Sequence, residues 1–96
     1  MFFKKKDESI SMAEAKKLKN AAIIDVRTKA EFDTGSMPGA KNIEMNDVVS
    51  DTEMFLEKDK TYYILCQSGN RSSMVCDNLS KRGYEVINIA GGMNAY

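Results

Sequence analysis

The sequence predicts an α/β domain: a parallel sheet of about five strands flanked by helices on both faces. Three observations carry that expectation. Short apolar runs, Ala22-Ile23-Ile24-Asp25-Val26, Thr61-Tyr62-Tyr63-Ile64-Leu65 and Glu85-Val86-Ile87-Asn88-Ile89, have the composition of buried strands. Between them lie segments with helical spacing of apolar residues. Strands that alternate with helices join as βαβ units, and such units build a parallel sheet covered on both sides.

The elements come in order along the chain. Residues 1–7 read as an N-terminal extension and 8–96 as a single domain, at the small end of the range that folds alone. Glu8-Ser9-Ile10 is a weak first strand. Ser11 then has the position of an N-cap, with Glu14 three residues on as its capping-box partner. Met12, Ala15 and Leu18 give the short helix after it an apolar stripe. After the strand at 22–26, Thr28 starts a polar helix to Asp33, with Ala30 and Phe32 as its apolar contacts. Gly35-Ser36-Met37-Pro38-Gly39 holds the only proline and reads as a loop. Asn42-Ile43-Glu44 is a short strand, and Val48 to Leu56 a helix that buries Val48, Val49, Phe55 and Leu56. The strand Thr61–Leu65 is the strongest in the chain. It runs into Cys66-Gln67-Ser68-Gly69-Asn70-Arg71-Ser72 and then a helix with Ser72, Val75, Cys76 and Leu79 on one face. Gly83 ends that helix behind Lys81 and Arg82. Glu85–Ile89 is the last strand, and Gly91-Gly92 opens the C-terminal segment.

Composition narrows the function. With 14 basic and 14 acidic residues the formal charge is zero, which argues against a nucleic-acid or anionic-membrane partner while allowing a local anion site. The basic N-terminus lacks the apolar region of a secretory signal, and no apolar run approaches bilayer-spanning length. The expected location is the cytoplasm. Phe2 and Phe3 read as ordinary packing or a frayed end, and Lys4-Lys5-Lys6 as solvated. Two cysteines and no histidine exclude a disulfide framework and the usual four-ligand zinc site. They also exclude Ser-His-Asp and Cys-His catalysis, so a nucleophilic cysteine here must be activated without imidazole. No metal or cofactor is expected.

Cys66 has the means for that. It leaves a buried strand, passes a turn containing Gly69, and meets the first turn of a helix. The amides there have no intrahelical partners, and they converge as an anion cradle with the helix dipole behind them. Arg71 adds a guanidinium able to grip an oxyanion. Both effects favour the thiolate and lower the cysteine's pKa. Placement at the carboxyl end of a strand, near a switch in strand order, is where parallel sheets carry their sites.

Cys-x4-Arg-Ser after a strand, here Cys66 to Ser72, resembles the active-site loop of rhodanese (sulfurtransferase) domains. Ile24-Asp25-Val26-Arg27-x3-Glu31-Phe32-x2-Gly35-x2-Pro38-Gly39-Ala40-x-Asn42-Ile43 resembles the family's N-terminal signature. Gly83-Tyr84-x-Val86-x5-Gly91-Gly92-Met93 resembles its C-terminal one. The resemblance implies that Cys66 carries a persulfide, that the amides of Gln67, Ser68, Gly69, Asn70, Arg71 and Ser72 bind the outer sulfur, and that Arg71 binds the donor's anionic group. Asp25 and Arg27 match the family's Asp-x-Arg and brace neighbouring loops. The partners implied are a small sulfur-containing anion such as thiosulfate and a thiophilic acceptor, cyanide or a thiol, including a protein thiol. The sequence departs from the family in having Ser36 for its usual histidine and Tyr96 for its usual tryptophan. It also stops at Tyr96 where many members continue, which leaves the closing helix short.

Plainer readings compete. Cys66 as a mere core cysteine leaves its Gly, Arg and Ser neighbours unexplained. Cys76 reads as a small core residue beside Val75 and Leu79. Arg71 as a solvated helix-start residue conflicts with the helix dipole, so an anion beside it is the better account. Arg27 and Glu31 are spaced for an i,i+4 ion pair. A cysteine phosphatase has a similar loop but five residues between Cys and Arg, against four here. It also needs an acid for its leaving group, and no carboxylate lies in the loop. A non-catalytic persulfide carrier or docking module shares every residue, and only turnover separates it from an enzyme.

Overall fold

The computed structural model describes residues 8–96, so the N-terminal extension, with Phe2, Phe3 and the lysine run, lies outside the described residues. The strands are β1 (Glu8–Ser11), β2 (Ala22–Asp25), β3 (Lys41–Asn42), β4 (Thr61–Leu65) and β5 (Glu85–Ala90). They form one sheet in the order β1-β5-β4-β2-β3, and every pairing is parallel. The helices are α1 (Met12–Ala15), α2 (Lys29–Asp33), α3 (Met45–Ser50), α4 (Thr52–Phe55) and α5 (Asn70–Ser80), and a 3₁₀ turn covers Gly92–Ala95.

The two-residue period of the strands sorts their side chains into two cores. Ile24, Tyr62, Ile64 and Val86 point to one face and pack with Val48, Leu56, Val75, Cys76 and Leu79 from the α3–α5 side. Ile23, Leu65 and Ile89 point to the other and pack with Met12, Ala15 and Met37. Each fully buried aliphatic side chain contributes roughly 1.5–3 kcal/mol of transfer free energy. The sheet is thus covered on both faces, and its central strands carry apolar side chains on both sides for that reason.

Local signals set the helix ends. Ser11 and Glu14 form the capping box of α1, and Thr28 and Glu31 form an equivalent box on α2. The Leu79 carbonyl accepts the Tyr84 amide at 3.1 Å, with Gly83 left-handed at φ +95°, which closes α5 as a glycine-terminated helix does.

Three elements differ from expectation. Helix α1 is only one turn, and Leu18 is 37% exposed instead of completing an apolar stripe. Ala30 is exposed and α2 buries no residue, because this helix is held by polar contacts at its ends. The expected helix over 48–56 starts earlier and is split at Asp51 (φ −120°, ψ 42°). The Thr52 hydroxyl donates to the Val48 and Val49 carbonyls at 2.6 and 3.0 Å, and satisfies carbonyls that a continuous helix would pair with amides.

Strand order positions the site. From β2 the chain moves outward to β3; from β4 it moves the opposite way to β5. The loops leaving these adjacent strands diverge at the carboxyl end of the sheet, where Asp25 pairs with Leu65, and open the crevice characteristic of parallel sheets.

Candidate active site

Cys66 is the first residue beyond β4, with 0% of its surface exposed. Its loop turns sharply because Gly69 adopts φ +99° and caps the start of α5. That turn aims two amides at the sulfur: Gly69 N–H donates to Cys66 Sγ at 3.0 Å and Ser72 N–H at 3.3 Å. Ser72 Oγ lies 3.3 Å from the same sulfur. Burial pushes the Cys66 thiol up, but hydrogen bonds from the Ser72 hydroxyl and from the amides of Ser72, Gly69 and Ser68 outweigh it, and the pKa falls below the ordinary thiol value. Activation without histidine is therefore built from main-chain dipoles and one hydroxyl.

The hydroxyl of Ser72 is itself fixed. Its oxygen lies within hydrogen-bond reach of Asn88 Oδ1 on β5 and within 3.2 Å of the Gly69 carbonyl. A single proton thus has three acceptors within reach, Sγ among them. Asn88 Nδ2 also approaches the Gly69 carbonyl at 3.5 Å, so β5 supports the turn that carries the amides.

Beneath the loop, Asp25 and Arg27 form a buried pair, with 0% and 2% of their surfaces exposed. Arg27 Nη2 and Nε reach the Asp25 carboxylate at 2.8 Å and 3.0 Å, and the Arg27 amide also donates to it. The remaining donors reach outward: Nη1 to Gln67 Oε1 at 3.0 Å, and Nη2 to the Gly35 carbonyl at 2.8 Å. The Ser36 hydroxyl donates to Asp25 Oδ2 at 2.7 Å. One ion pair thus connects β2, the 35–36 loop and the cysteine loop. The hydrogen bond to Asp25 gives the serine at this position a structural partner of its own.

Arg71 has a partner that spacing did not suggest. Its Nη1 and Nη2 meet Glu31 Oε1 and Oε2 at 2.8 and 2.9 Å. The pair is about one-third exposed on each side. The Arg71 guanidinium, together with the Thr28 bonds at the start of α2, holds the Glu31 carboxyl down at about 2. This corrects the expected Arg27–Glu31 pair: burial against Asp25 takes Arg27, and the anion beside Arg71 is the protein's own. Cys76 is buried on the core face of α5, and neither cysteine is in a disulfide.

Gly92 belongs to the site although its motif gave no role. It adopts φ +55°, and a Cβ there would lie 2.2 Å from the Cys66 carbonyl oxygen and 2.8 Å from the Gln67 carbonyl. Such close approach lets the 3₁₀ turn pin the loop from above: Met93 N–H donates to Cys66 O at 2.9 Å and Asn94 N–H to Gln67 O at 2.8 Å. The signal in the sequence was the Gly91-Gly92 pair itself. Asn88 carried none, since a polar residue within an apolar strand has many explanations.

A small parallel α/β domain with a loop-activated thiol at the end of a central strand is a defined class. Residues 7–96 match the model of the Rhodanese-like domain, and the chain belongs to that family. A Bacillus subtilis (strain 168) protein named "Putative sulfurtransferase YtwF" is 42% identical over 74 residues, 77% of this chain and 71% of that protein. The protein named "Sulfurtransferase" of Allochromatium vinosum is 35% identical over 75 residues, 77% of this chain and 69% of its own length. The crystal structure of a rhodanese-like domain protein from Staphylococcus aureus superimposes with a TM-score of 0.83 at 37% identity, covering 92% of this chain and 89% of that one. Other relatives are longer, and in one the match spans 24% of the protein. Among the described residues no helix is long and apolar enough to cross a membrane.

Proposed function

We propose that the domain is a sulfurtransferase that moves a sulfane sulfur from a donor such as thiosulfate to a thiophilic acceptor through a persulfide on Cys66. The observation that carries this reading is the convergence of the Gly69 and Ser72 amides on Cys66 Sγ. They stabilise an anion at that point and supply no acid or base.

The chemistry needs only that. The Cys66 thiolate attacks the outer sulfur of thiosulfate; a new S–S bond forms, the old one breaks, and its electron pair leaves with sulfite. No proton is required by the leaving group, unlike the alkoxide of a phosphate ester. The persulfide's outer sulfur carries the negative charge, and in this reading the amides of the 67–72 loop bind it, which the two already on Cys66 Sγ support. Cyanide or a thiolate then attacks that sulfur and returns Cys66 to the thiolate. Asp25 and Arg27 hold the 35–36 loop and Gln67 in register for both steps. The cytoplasm, where thiols stay reduced, suits a cysteine that must be free to react.

Intact-protein and peptide mass spectrometry after incubation with excess thiosulfate or an organic persulfide tests the reading. A gain of one sulfur atom on Cys66, discharged by cyanide as thiocyanate over repeated turnovers, is the expected result. Cys66→Ser abolishes it and Cys76→Ser leaves most of it. A protein that loads from neither donor, or loads on Cys76, overturns the assignment. Loading with a single discharge and no turnover makes it a carrier.

A further inference from the structure

Two guanidinium groups lie close to the cysteine loop, and each is matched by one carboxylate. Arg27 belongs to Asp25 in the buried interior. Arg71 belongs to Glu31, through both Nη atoms. Arg71 also opens onto a surface cavity of about 170 Å³ that Val26, Thr28, Glu44, Met45 and Asn46 complete. Glu44 brings a second carboxylate to that cavity, fixed there by the Lys29 amide at 2.8 Å. Charge by charge, among the described residues, the cavity at Arg71 and its bonded partner bring together one guanidinium and two carboxylates. Among the described residues lining that cavity, a dianion meets no unmatched cation.

The pair has the geometry to persist. Parallel N–H···O bonds between a planar fork and a carboxylate are the strongest form of this contact. Glu31 is anchored besides: its Oε1 accepts the Thr28 amide at 3.1 Å and the Thr28 hydroxyl at 3.2 Å. It is therefore presented to Arg71 by the capping box of α2 and does not swing freely. Any donor that recruits Arg71 must displace a pre-positioned internal anion.

We propose that Glu31 is a specificity-determining residue for the sulfur donor: by serving as the counter-ion of Arg71, it sets the Cys66 site against dianionic donors and in favour of organic persulfides, whose sulfane sulfur bears one charge or none. This rests on the sulfurtransferase reading above. Electrostatics supports it, since Arg71 is raised chiefly by its bond to Glu31, and the Cys66 charge is a smaller contribution. The transfer from a persulfide is balanced as before: the thiolate of Cys66 attacks the outer sulfur, and the electron pair of the broken S–S bond leaves on the donor's thiolate.

Steady-state kinetics of Glu31→Gln with two donors, thiosulfate and an organic persulfide, tests the proposal. Arg71 then loses the carboxylate bonded to both its Nη atoms, while Glu44 stays on the Lys29 amide, so kcat/KM for thiosulfate rises by roughly three- to tenfold, the scale of a partly exposed ion pair. The change lies in KM, and kcat/KM for the persulfide stays level or falls. Glu31→Gln combined with Arg71→Gln removes the gain. A purely structural role for the pair predicts that both donors lose together, and that outcome overturns the proposal, as does an unchanged donor ratio. A wild-type measurement needs no variant to fold. Loading from thiosulfate should depend only weakly on ionic strength, because the dianion meets compensated charges; a steep fall with salt shows Arg71 acting as an open cation and also overturns it. Wild-type protein that loads from neither donor defeats the sulfurtransferase reading itself, a result distinct from loading with an unaltered preference.

Discussion

At the scale of single residues, the cysteine loop shows how a thiol is activated in a chain without histidine. The sequence placed Cys66, Gly69 and Ser72 together by spacing, and their order along a strand–turn–helix was enough to expect converging amides. It did not show Asn88, because a partner contributed by the next strand depends on the order β5-β4, which no local pattern encodes. The consequence is testable. Ser72→Ala removes the side-chain hydrogen bond between Ser72 and Cys66 Sγ and keeps both amides, so the thiol pKa moves up toward its ordinary value. The rate of alkylation or sulfur loading rises with pH and levels off once the thiolate predominates. In the wild type the midpoint lies below the unperturbed ~8.5 of a free cysteine. In Ser72→Ala it moves to higher pH, and the rate at neutral pH drops roughly 3- to 10-fold, as for one hydrogen bond of about 1 kcal/mol. Coincident profiles for the two proteins mean that the hydroxyl has no part in holding the thiolate.

At the scale of elements, strands and their burial were legible and short connecting helices were not. β2, β4 and β5 are apolar runs that only a sheet covered on both faces can bury, and they fall where expected. The region 48–56 misled because its apolar residues suit one helix. The break at Asp51 comes from Thr52 turning its hydroxyl back onto the Val48 and Val49 carbonyls, a competition that periodicity does not register. The Gly91-Gly92 pair marked the start of the 3₁₀ turn, but nothing local showed that this turn holds the cysteine loop. Gly92→Ala places a methyl group on the Cys66 and Gln67 carbonyls and forces a left-handed conformation on alanine, a strain of about 1–2 kcal/mol before any clash. The turn must then lift away, and with it the Met93 and Asn94 amides. Sulfur loading should fall by more than tenfold and thermal unfolding should shift to lower temperature. Gly39→Ala serves as the comparison, since nothing lies within 4 Å of a Cβ there, though its φ of +82° carries similar strain. Equal losses of loading in the two variants would show that strain alone, and not contact with the loop, is responsible.

Over the whole molecule, two ion pairs among the described residues, Asp25–Arg27 and Glu31–Arg71, tie the loops above the sheet, and they differ in kind. Asp25–Arg27 is wholly buried and shares its donors with Gln67 and Gly35, so Arg27→Met leaves an uncompensated carboxylate in the interior and costs about 3–5 kcal/mol. Glu31–Arg71 is a third exposed and screened, so its net worth is no more than about 1 kcal/mol. Its contribution can still be isolated by pH. In the folded protein Arg71 and Thr28 hold the Glu31 carboxyl at about 2, against an ordinary value of 4.5. A carboxyl so depressed stabilises the fold fully above its unfolded pKa and loses that contribution as pH falls through the folded one. The window is therefore about pH 4.5 down to 2. Denaturant midpoints measured at several pH values across that window should decline less steeply for Glu31→Gln than for the wild type, with the curves separated near neutrality by up to about 1 kcal/mol and converging in acid. Glu14→Gln is a useful contrast, because its carboxylate is also lowered but by the Ser11 capping bonds of α1 and not by a guanidinium. Added salt weakens the Glu31–Arg71 contribution and spares that of the cap. Parallel acid declines in the wild type and Glu31→Gln would mean that Arg71 does not hold Glu31 in solution, and the rim of the cysteine site would then carry an open guanidinium.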